Sequence, residues 1–408
     1  MMSKLRVLCL SVQHVFAMFG ATVLVPLVVG LPTSLALLSA GVGTLLFHSV
    51  TKGIVPSFLG SSFAFIPVFI IALRDYGLAE LKGGIIAAGL VYVLFSQLAR
   101  LISPQRIKAW FPPIVIGPVI MSIGLKLIPT ALSMAGYSAQ RLDYKSMFLA
   151  GVTLAVMIII SFLQHSFFRL VPILFAIFVG YIVGICMGMV NLDAVKSAAW
   201  FGLGSEGWAA LKTMPSFTLR SILLIAPVTL VTMMEHLGDM KNSGAVCSKD
   251  FFENPGLHRT LLGDGLATMA AGLLGGPANT TYSENTGVLA VTKVYDPKIL
   301  RYAAVIAILL GFSGKIVAMI QSLPLPVMGG ISLLLFSLIT MVGLRVLFEA
   351  GIDLSDFRNI VIPALVLVVG TFVDGIPVSS TLTLSGSFLS IVLGLFLNAA
   401  LPHHTAAK

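Results

Sequence analysis

The chain has 408 residues, of which 57% are hydrophobic and only 10% are charged, and its formal net charge is +9. Soluble domains carry about 25% charged residues, so this composition excludes a cytosolic enzyme, a secreted domain and a disordered regulator. The apolar character runs from end to end, which also excludes a receptor with one span. We predict an all-α polytopic membrane protein with roughly 12 to 15 crossings, since one crossing takes about 20 apolar residues.

The predicted elements are apolar helices separated by Gly, Pro and charged residues. This punctuation gives about 14 candidate transmembrane spans. Their approximate centres, in chain order, are Phe19, Leu45, Phe65, Val91, Ile120, Met157, Phe178, Leu230, Met269, Leu289, Ile308, Leu335, Val366 and Ile391. An even number of spans with basic cytoplasmic ends places both termini in the cytoplasm.

Positive charge is concentrated at the ends of these spans. Two basic clusters are predicted to lie in cytoplasmic loops: Arg100, Arg106 and Lys108, and Lys241, Lys249 and Arg259. This distribution follows the positive-inside bias of membrane proteins and argues against a nucleic-acid partner. The three cysteines form no CxxC pair, so we expect neither a disulfide framework nor a metal site.

Two interrupted spans occupy matching positions in the chain. A polar connection around residues 197–215 divides the candidate spans into two sets of seven. Seven is odd, so a duplicated half would enter the membrane in the reverse orientation, as in an inverted repeat. The third span is interrupted by Pro56 and Gly60 in the first half and by Gly276 and Pro277 in the second. Such interruptions mark transporter binding sites, although two ordinary loops that happen to align would give the same pattern.

Four acidic residues fall within apolar or interrupted spans of the second half, namely Glu235, Asp239, Asp264 and Glu284. A carboxylate at mid-membrane costs roughly 3 kcal/mol, and such residues normally face a cavity on an ion or substrate path. Glu235 and Asp239 are four residues apart and project from one helix face, which suits them to exchange a proton. The alternative for Asp239 is a surface ion pair with Lys241 at the cytoplasmic mouth.

The histidines and aromatic residues near these carboxylates leave several roles open. His14, beside Gln13 in the first span, is either a packing residue or part of a polar cluster that braces the site. His236 points away from the face of Glu235, which favours a structural role. Carboxylates accept ring N–H groups, and free N–H groups at half-helix N-termini donate to carbonyl oxygens. With Phe63 and Tyr282 to flank a planar ring, a small heteroaromatic ligand fits better than an inorganic anion or a metal ion.

Motifs across nearly the whole chain resemble the nucleobase–ascorbate transporter (nucleobase:cation symporter-2) family, and most closely its bacterial uracil permeases. The stretch from Glu284 to Lys293 (ENTGVLAVTK) resembles the family signature, in which Asn285, Gly287 and Thr292 are motif residues. Four further stretches carry the resemblance: Gln13-His14 in the first span, 60–65 (GSSFAF) in the third, 235–238 (EHLG) in the eighth, and 324–330 (PLPVMGG). The chain has no HExxH, GxSxG or P-loop motif, so an enzyme is not expected.

The resemblance implies a fold of 14 transmembrane spans in two inverted repeats of seven. Spans 1–4 (residues 1–105) and 8–11 (residues 215–322) would form a core domain. Spans 5–7 (residues 106–200) and 12–14 (residues 323–408) would form a gate domain. Spans 3 and 10 would be half-helices preceded by short antiparallel strands, with the substrate held between them.

The resemblance also implies how the residues act. Glu235 and Glu284 would hydrogen-bond the nucleobase, while backbone groups of Phe63 and Ser283 and the ring of Tyr282 would complete the pocket. Proton coupling would involve Glu235 with Asp239, Asp264 and His14. A proton would be the co-substrate, with no cofactor and no metal. The partners would be a nucleobase, protons and membrane lipid, and the gate spans could support a homodimer.

The motifs point to more than one substrate within the family. Asp239 stands where uracil permeases carry a histidine, and Asp264 matches an aspartate of xanthine and purine members. Against this, the signature opens with Glu284 rather than the glutamine common in xanthine carriers. Phe336 stands where the gate of a uracil permease offers a tyrosine, and we count it among the substrate-binding residues.

We therefore predict a proton-coupled uracil symporter of a prokaryotic plasma (inner) membrane that works by an elevator-like movement of core against gate. The first alternative is a xanthine or purine symporter of the same family. Less favoured alternatives are an anion exchanger of the same architecture, a passive channel and an intramembrane enzyme.

Overall fold

A computed structural model describes residues 4–101, 112–138, 142–163, 171–353, 355–379 and 382–402. Two residues of the predicted basic clusters, Arg106 and Lys108, lie outside the described residues. In the described part, long apolar helices dominate and the strands are short.

The first half runs from α1 to α7. Its elements are α1 (Lys4–Val29), α2 (Thr33–Val50), β1 (Leu59–Ser61), a 3-10 turn (Phe63–Phe65), α3 (Ile66–Asp75), α4 (Leu78–Leu101), α5 (Pro113–Met134), α6 (Tyr144–Phe162) and α7 (Pro172–Cys186). Local chemistry sets several of these starts. The Asp143 carboxylate caps α6, because it accepts hydrogen bonds from the backbone N–H groups of Lys145 and Ser146. Pro113 lies in the first turn of α5, where a backbone N–H would have no partner within the helix.

The second half repeats the order of elements after a connecting segment. The connection holds two short helices, α8 (Asp193–Ser197) and α9 (Gly204–Lys212). Then follow α10 (Leu219–Ile225), a 3-10 turn (Ala226–Val228), α11 (Thr229–Cys247), a π-helical turn (Phe252–Gly256), α12 (Leu257–Leu274), β2 (Asn279–Thr281), α13 (Ser283–Thr292), α14 (Pro297–Gly311), α15 (Gly314–Gln321), α16 (Leu325–Glu349), α17 (Phe357–Phe372), β3 (Gly375–Ser379), β4 (Leu382–Ser385) and α18 (Gly386–Ala400).

Every predicted span centre lies within a helix or helical turn of this order. By length and composition, seven helical segments of the described residues can cross a membrane, counting α10 and α11 together. The pair α14 and α15 adds a broken span, bent by 78°. The helices α7, α17 and α18 are apolar but shorter. The polytopic helical class is confirmed, while the count of fourteen crossings stays a prediction.

The predicted half-helices and antiparallel strands are confirmed. Strand β1 pairs with β2 in antiparallel register, with Gly60 opposite Thr280. Each strand has only three residues and leads into a short helix, α3 or α13, of ten residues. Because the strands run in opposite directions and each precedes its helix, the N-termini of α3 and α13 converge from opposite sides. This convergence is the geometry of an inverted repeat.

The largest helix contacts fall into two groups. In one, α2, α4, α12 and α14 pack together, and α4 and α12 approach closely because Gly89 and Gly265 face each other. In the other, α5 packs against α16 and α17, with Gly117 opposite Gly343. Small residues of this kind let membrane helices come close. These groups coincide with the predicted core and gate residues, and the division into two domains stays a prediction.

The connecting segment lies against the first group of helices. Ser34 donates to the carbonyl of Leu203 at 3.0 Å. The buried Lys82 donates to the carbonyls of Ala210 (3.0 Å) and Thr213 (2.6 Å) at the end of α9. An ammonium group stabilises the C-terminus of a helix, where carbonyls lack partners. The segment is thus fastened to α2 and α4.

Candidate functional site

The site is built where α11 passes the two converging half-helices. Helix α11 carries Glu235 and Asp239, and the first turn of α13 carries Ser283 and Glu284. Phe63 opens the turn before α3. The N-cap residue of neither α13 nor the turn at Phe63 bonds the first N–H groups through its side chain, although the Glu284 carboxylate accepts its own backbone N–H. Two helix N-termini therefore offer backbone donors beside a group of carboxylates.

Three carboxylates share this place. Glu235 interacts electrostatically with both Asp239 and Glu284. All three side chains are only partly buried, and the neighbouring Ser283 is exposed. We call the place that these four accessible residues share the acidic hollow. Acidic residues on one face of a membrane helix usually face such a space.

Both oxygens of Asp239 are occupied by hydroxyl donors. Thr281 donates from Oγ1 to Oδ2 at 2.8 Å, and Ser283 donates to Oδ1. The partners lie at the end of β2 and the start of α13, so Asp239 ties α11 to the second half-helix. The neighbouring Lys241 is exposed. Thr281 is a contact that sequence reasoning missed, and its place three residues before the signature was the available signal.

The hydroxyl group of Tyr282 anchors its side chain to α1 and to β1. Thr22 of α1 donates to the Tyr282 hydroxyl at 3.2 Å, and the hydroxyl donates to the carbonyl of Ser61 at 2.9 Å. The ring lies against Gly60, where an added Cβ would be 2.6 Å from two ring atoms. Glycine is therefore needed in β1 for the ring to pass. Sequence reasoning identified Tyr282 and missed Thr22.

His14 braces α1 against the signature helix. The Nδ2 atom of Asn285 lies 3.0 Å from His14 Nδ1 and donates to the His14 carbonyl at 3.0 Å. Both side chains are fully buried. Of the two roles considered for His14, this geometry corresponds to the polar brace. Gln13 instead lines a groove on the exposed side of α1, together with Arg6 and Phe16.

The remaining predicted residues lie outside the acidic hollow. Asp264 of α12 is fully buried and contacts His236. Phe336 is fully buried in α16, with its carbonyl near Gly124 of α5. Thr292, at the far end of α13, donates to the carbonyl of Val288 in its own helix at 2.7 Å. Gly287 is partly buried in the same helix.

Phe63 lies where three apolar clusters meet. It is partly buried and packs against the cluster around Phe65 and Phe69, the cluster around Phe58, and the cluster around Val327. The first cluster contains residues of both the predicted core helices and the predicted gate helices, the second contains residues of the core helices, and the third includes the predicted gate helix α16. Phe63 is thus placed at the boundary between the two groups of helices, next to the acidic hollow.

Known proteins resemble this chain in sequence and in fold. The sequence model of a family described as the Permease family matches residues 5–378. The chain is 43% identical to the uracil permease of Bacillus subtilis over 96% of this chain and 92% of that protein. It is 39% identical to the uracil permease of Escherichia coli over 97% of this chain and 91% of that protein.

Two solved structures share the fold at low sequence identity. The transmembrane domain of a cyanobacterial bicarbonate transporter, BicA, has a TM-score of 0.64 at 16% identity and covers 96% of both chains. SLC26A9 has a TM-score of 0.70 at 10% identity and covers 96% of this chain and 64% of that one. The family match and the permease relatives span most of the sequence. The chain therefore belongs to the nucleobase–ascorbate transporter family, as a multi-pass permease of the plasma membrane and not an enzyme.

Proposed function

We propose that the protein imports uracil together with a proton. The observation that carries the proposal is the acidic hollow, in which Glu235 and Glu284 lie together beside the N-termini of α3 and α13. Relatives at 39–43% identity over nearly the whole chain are uracil permeases, which supports the same substrate here.

The chemistry of the hollow matches a pyrimidine with ring N–H groups and carbonyl oxygens. Carboxylates accept N–H donors, and charge-assisted bonds of this kind are about twice as strong as neutral ones. Backbone N–H groups near Phe63 and Ser283 can donate to the carbonyl oxygens. An anion would instead meet three carboxylates, so the acidic hollow disfavours the exchange of sulfate or bicarbonate despite the shared fold.

Glu235 is the best candidate for the proton carrier. It interacts with two other carboxylates, and protonation of one member relieves the repulsion among all three. Asp239 has both oxygens engaged by Thr281 and Ser283, which leaves Glu235 freer to change its protonation. We place Asp239, Asp264 and His14 in the surrounding polar network rather than at the exchange step.

Transport would follow from movement of the core helices against the gate helices. The largest helix contacts fall within each group, which supports this division, and Phe63 packs against clusters that contain residues of both groups. The substrate would lie at this boundary and travel with the core.

The test is accumulation of labelled uracil in vesicles under an imposed inward proton gradient. We expect Glu235→Gln to abolish accumulation, because the amide cannot carry a proton. The matched control is Glu206→Gln, which changes an exposed carboxylate on α9 and should accumulate uracil normally. Full accumulation by Glu235→Gln would remove Glu235 from the mechanism.

Competition experiments separate the remaining alternatives. Unlabelled uracil should displace the label, whereas xanthine, adenine, guanine and ascorbate should not. Accumulation of labelled xanthine without accumulation of labelled uracil would establish the purine alternative. Competition by bicarbonate or sulfate would favour the anion exchanger, and equilibration without accumulation would indicate a channel.

A further inference from the structure

A second ionisable pair lies beside the acidic hollow but does not face it. His236 of α11 and Asp264 of α12 are both 0% exposed, and Nδ1 of His236 lies 2.8 Å from Oδ2 of Asp264. Among the described residues, none of the four polar atoms of the two side chains has a hydrogen-bond partner of good geometry. The two side chains therefore meet only as a close polar contact, with no other polar partner in this region.

Such a pair is a poor source of stability. Taking two polar groups out of water costs free energy that their attraction repays only partly, and apolar replacements of equal volume are often as stable. The best-attested use of a buried polar contact is to select one arrangement of the surrounding helices. The question is then which arrangement this contact selects.

The pair sits next to Glu235 along α11. Consecutive helix residues are rotated by about 100°, so an anchor at His236 determines where Glu235 and Asp239 point. A second anchor lies one turn earlier, where Tyr92 of α4 donates to Oγ1 of Thr232 at 2.8 Å. Thr232 and His236 lie four residues apart and form one polar stripe against α4 and α12. The adjoining face carries the carboxylates of the hollow.

We propose that His236 and Asp264 are positioning residues, whose contact sets the rotation of α11 and thereby directs Glu235 into the acidic hollow. The role in uracil binding rests on the proposed function, whereas the rotation of α11 does not. Neither residue touches the substrate. Asp264 thus acts through His236 and Glu235, although it lies outside the hollow.

Uptake kinetics give the first test. His236→Ala and Asp264→Ala should each raise the KM for uracil about tenfold, and the double variant should be no worse than either single variant, because coupled residues are not additive. His236→Gln, which keeps a side-chain donor, should restore most of the affinity. The control is Thr260→Val, a buried change one turn from Asp264 on α12, where the hydroxyl bonds only within its own helix.

Thiol labelling gives a test that does not depend on uracil. With Cys9, Cys186 and Cys247 replaced, a Glu235→Cys thiol should react with a small aqueous methanethiosulfonate. Adding His236→Ala should slow this reaction at least tenfold, and adding Thr260→Val should not. If His236→Ala does not fold, Asp264→Asn replaces it, since the amide keeps the shape and removes the charge.

The outcomes separate the two proposals. Unchanged labelling and unchanged KM in the His236 and Asp264 variants would overturn the positioning role. Slowed labelling, together with no binding or transport of uracil by the parent protein that retains Glu235, would support the positioning role and refute the proposed function. Additive losses in the double variant would show that the two residues act independently, and would also overturn the proposal.

Discussion

The contact of Asp239 with the second half-helix predicts a measurable loss of substrate affinity when it is broken. Thr281 and Ser283 each donate a hydroxyl to this carboxylate, and Ser283 directly precedes Glu284. Removing either donor frees the start of α13, so that Glu284 and the backbone N–H groups no longer keep one position. The informative variants are therefore Ser283→Ala, Thr281→Val and Asp239→Ala.

The magnitude follows from the two bonds. A hydrogen bond to a charged group contributes about 1.5–3 kcal/mol, and each 1.4 kcal/mol corresponds to about a tenfold change in affinity. We expect Ser283→Ala and Thr281→Val each to weaken uracil binding about tenfold. Asp239→Ala, which removes both bonds, should weaken it about a hundredfold. Combining Ser283→Ala with Asp239→Ala should add little, since the same bond is already lost.

The assay is equilibrium binding of labelled uracil to the purified protein in lipid nanodiscs. Thr292→Val is the matched control, because its hydroxyl lies at the opposite end of α13 and bonds within that helix. Affinities within twofold of the parent protein for both Ser283→Ala and Thr281→Val would refute this account of Asp239.

Two further predictions concern the scaffold around the site. Gly60→Ala should abolish uptake and lower the melting temperature, since overpacking of a filled site costs about 1–3 kcal/mol. The control Gly151→Ala should have neither effect, because nothing lies within 4 Å of the added Cβ. A stable and active Gly60→Ala protein would contradict the packing of Tyr282 against this glycine. The double variant Ser34→Cys with Gly207→Cys should form a disulfide on oxidation. A Cβ on Gly207 would lie 3.9 Å from the Cβ of Ser34, and disulfides require a Cβ–Cβ distance of about 3.5–4.5 Å. Mass spectrometry should show the bond and uptake should persist, while failure to crosslink would mean that the connecting segment does not lie on α2.

Much of the fold could be predicted because a bilayer imposes local rules on sequence. Spans must be long and apolar, so composition and hydropathy alone indicate a polytopic helical protein. The interruptions at Gly60 and Gly276 indicated two broken spans for the same reason, since non-helical backbone at membrane depth is tolerated only where protein surrounds it. The half-helices and their strands were implied by the family resemblance. The cost of burying a carboxylate in an apolar span is equally local, and it indicated Glu235 and Glu284 as site residues from the sequence alone.

The partners of those residues depended on the tertiary structure. The alternative of a surface pair between Asp239 and Lys241 was reasonable from spacing along the chain, yet the hydroxyls that Asp239 meets are 42 and 44 residues away. His14 and Asn285 meet across 271 residues. No local pattern encodes such contacts, because they arise only when two inverted halves dock and their strands pair.

The same limit applies to Asp264 and to the number of crossings. The sequence by itself determined that a carboxylate lies buried in α12, but only the tertiary arrangement of α11 and α12 decided that it faces His236 and not the acidic hollow. Likewise, hydropathy locates the apolar segments, whereas the 78° bend between α14 and α15 depends on how the neighbouring helices pack against these two segments. The free-energy cost of burying a carboxylate depends on one residue and its neighbours in sequence. The direction in which that side chain points depends on how the helices pack together.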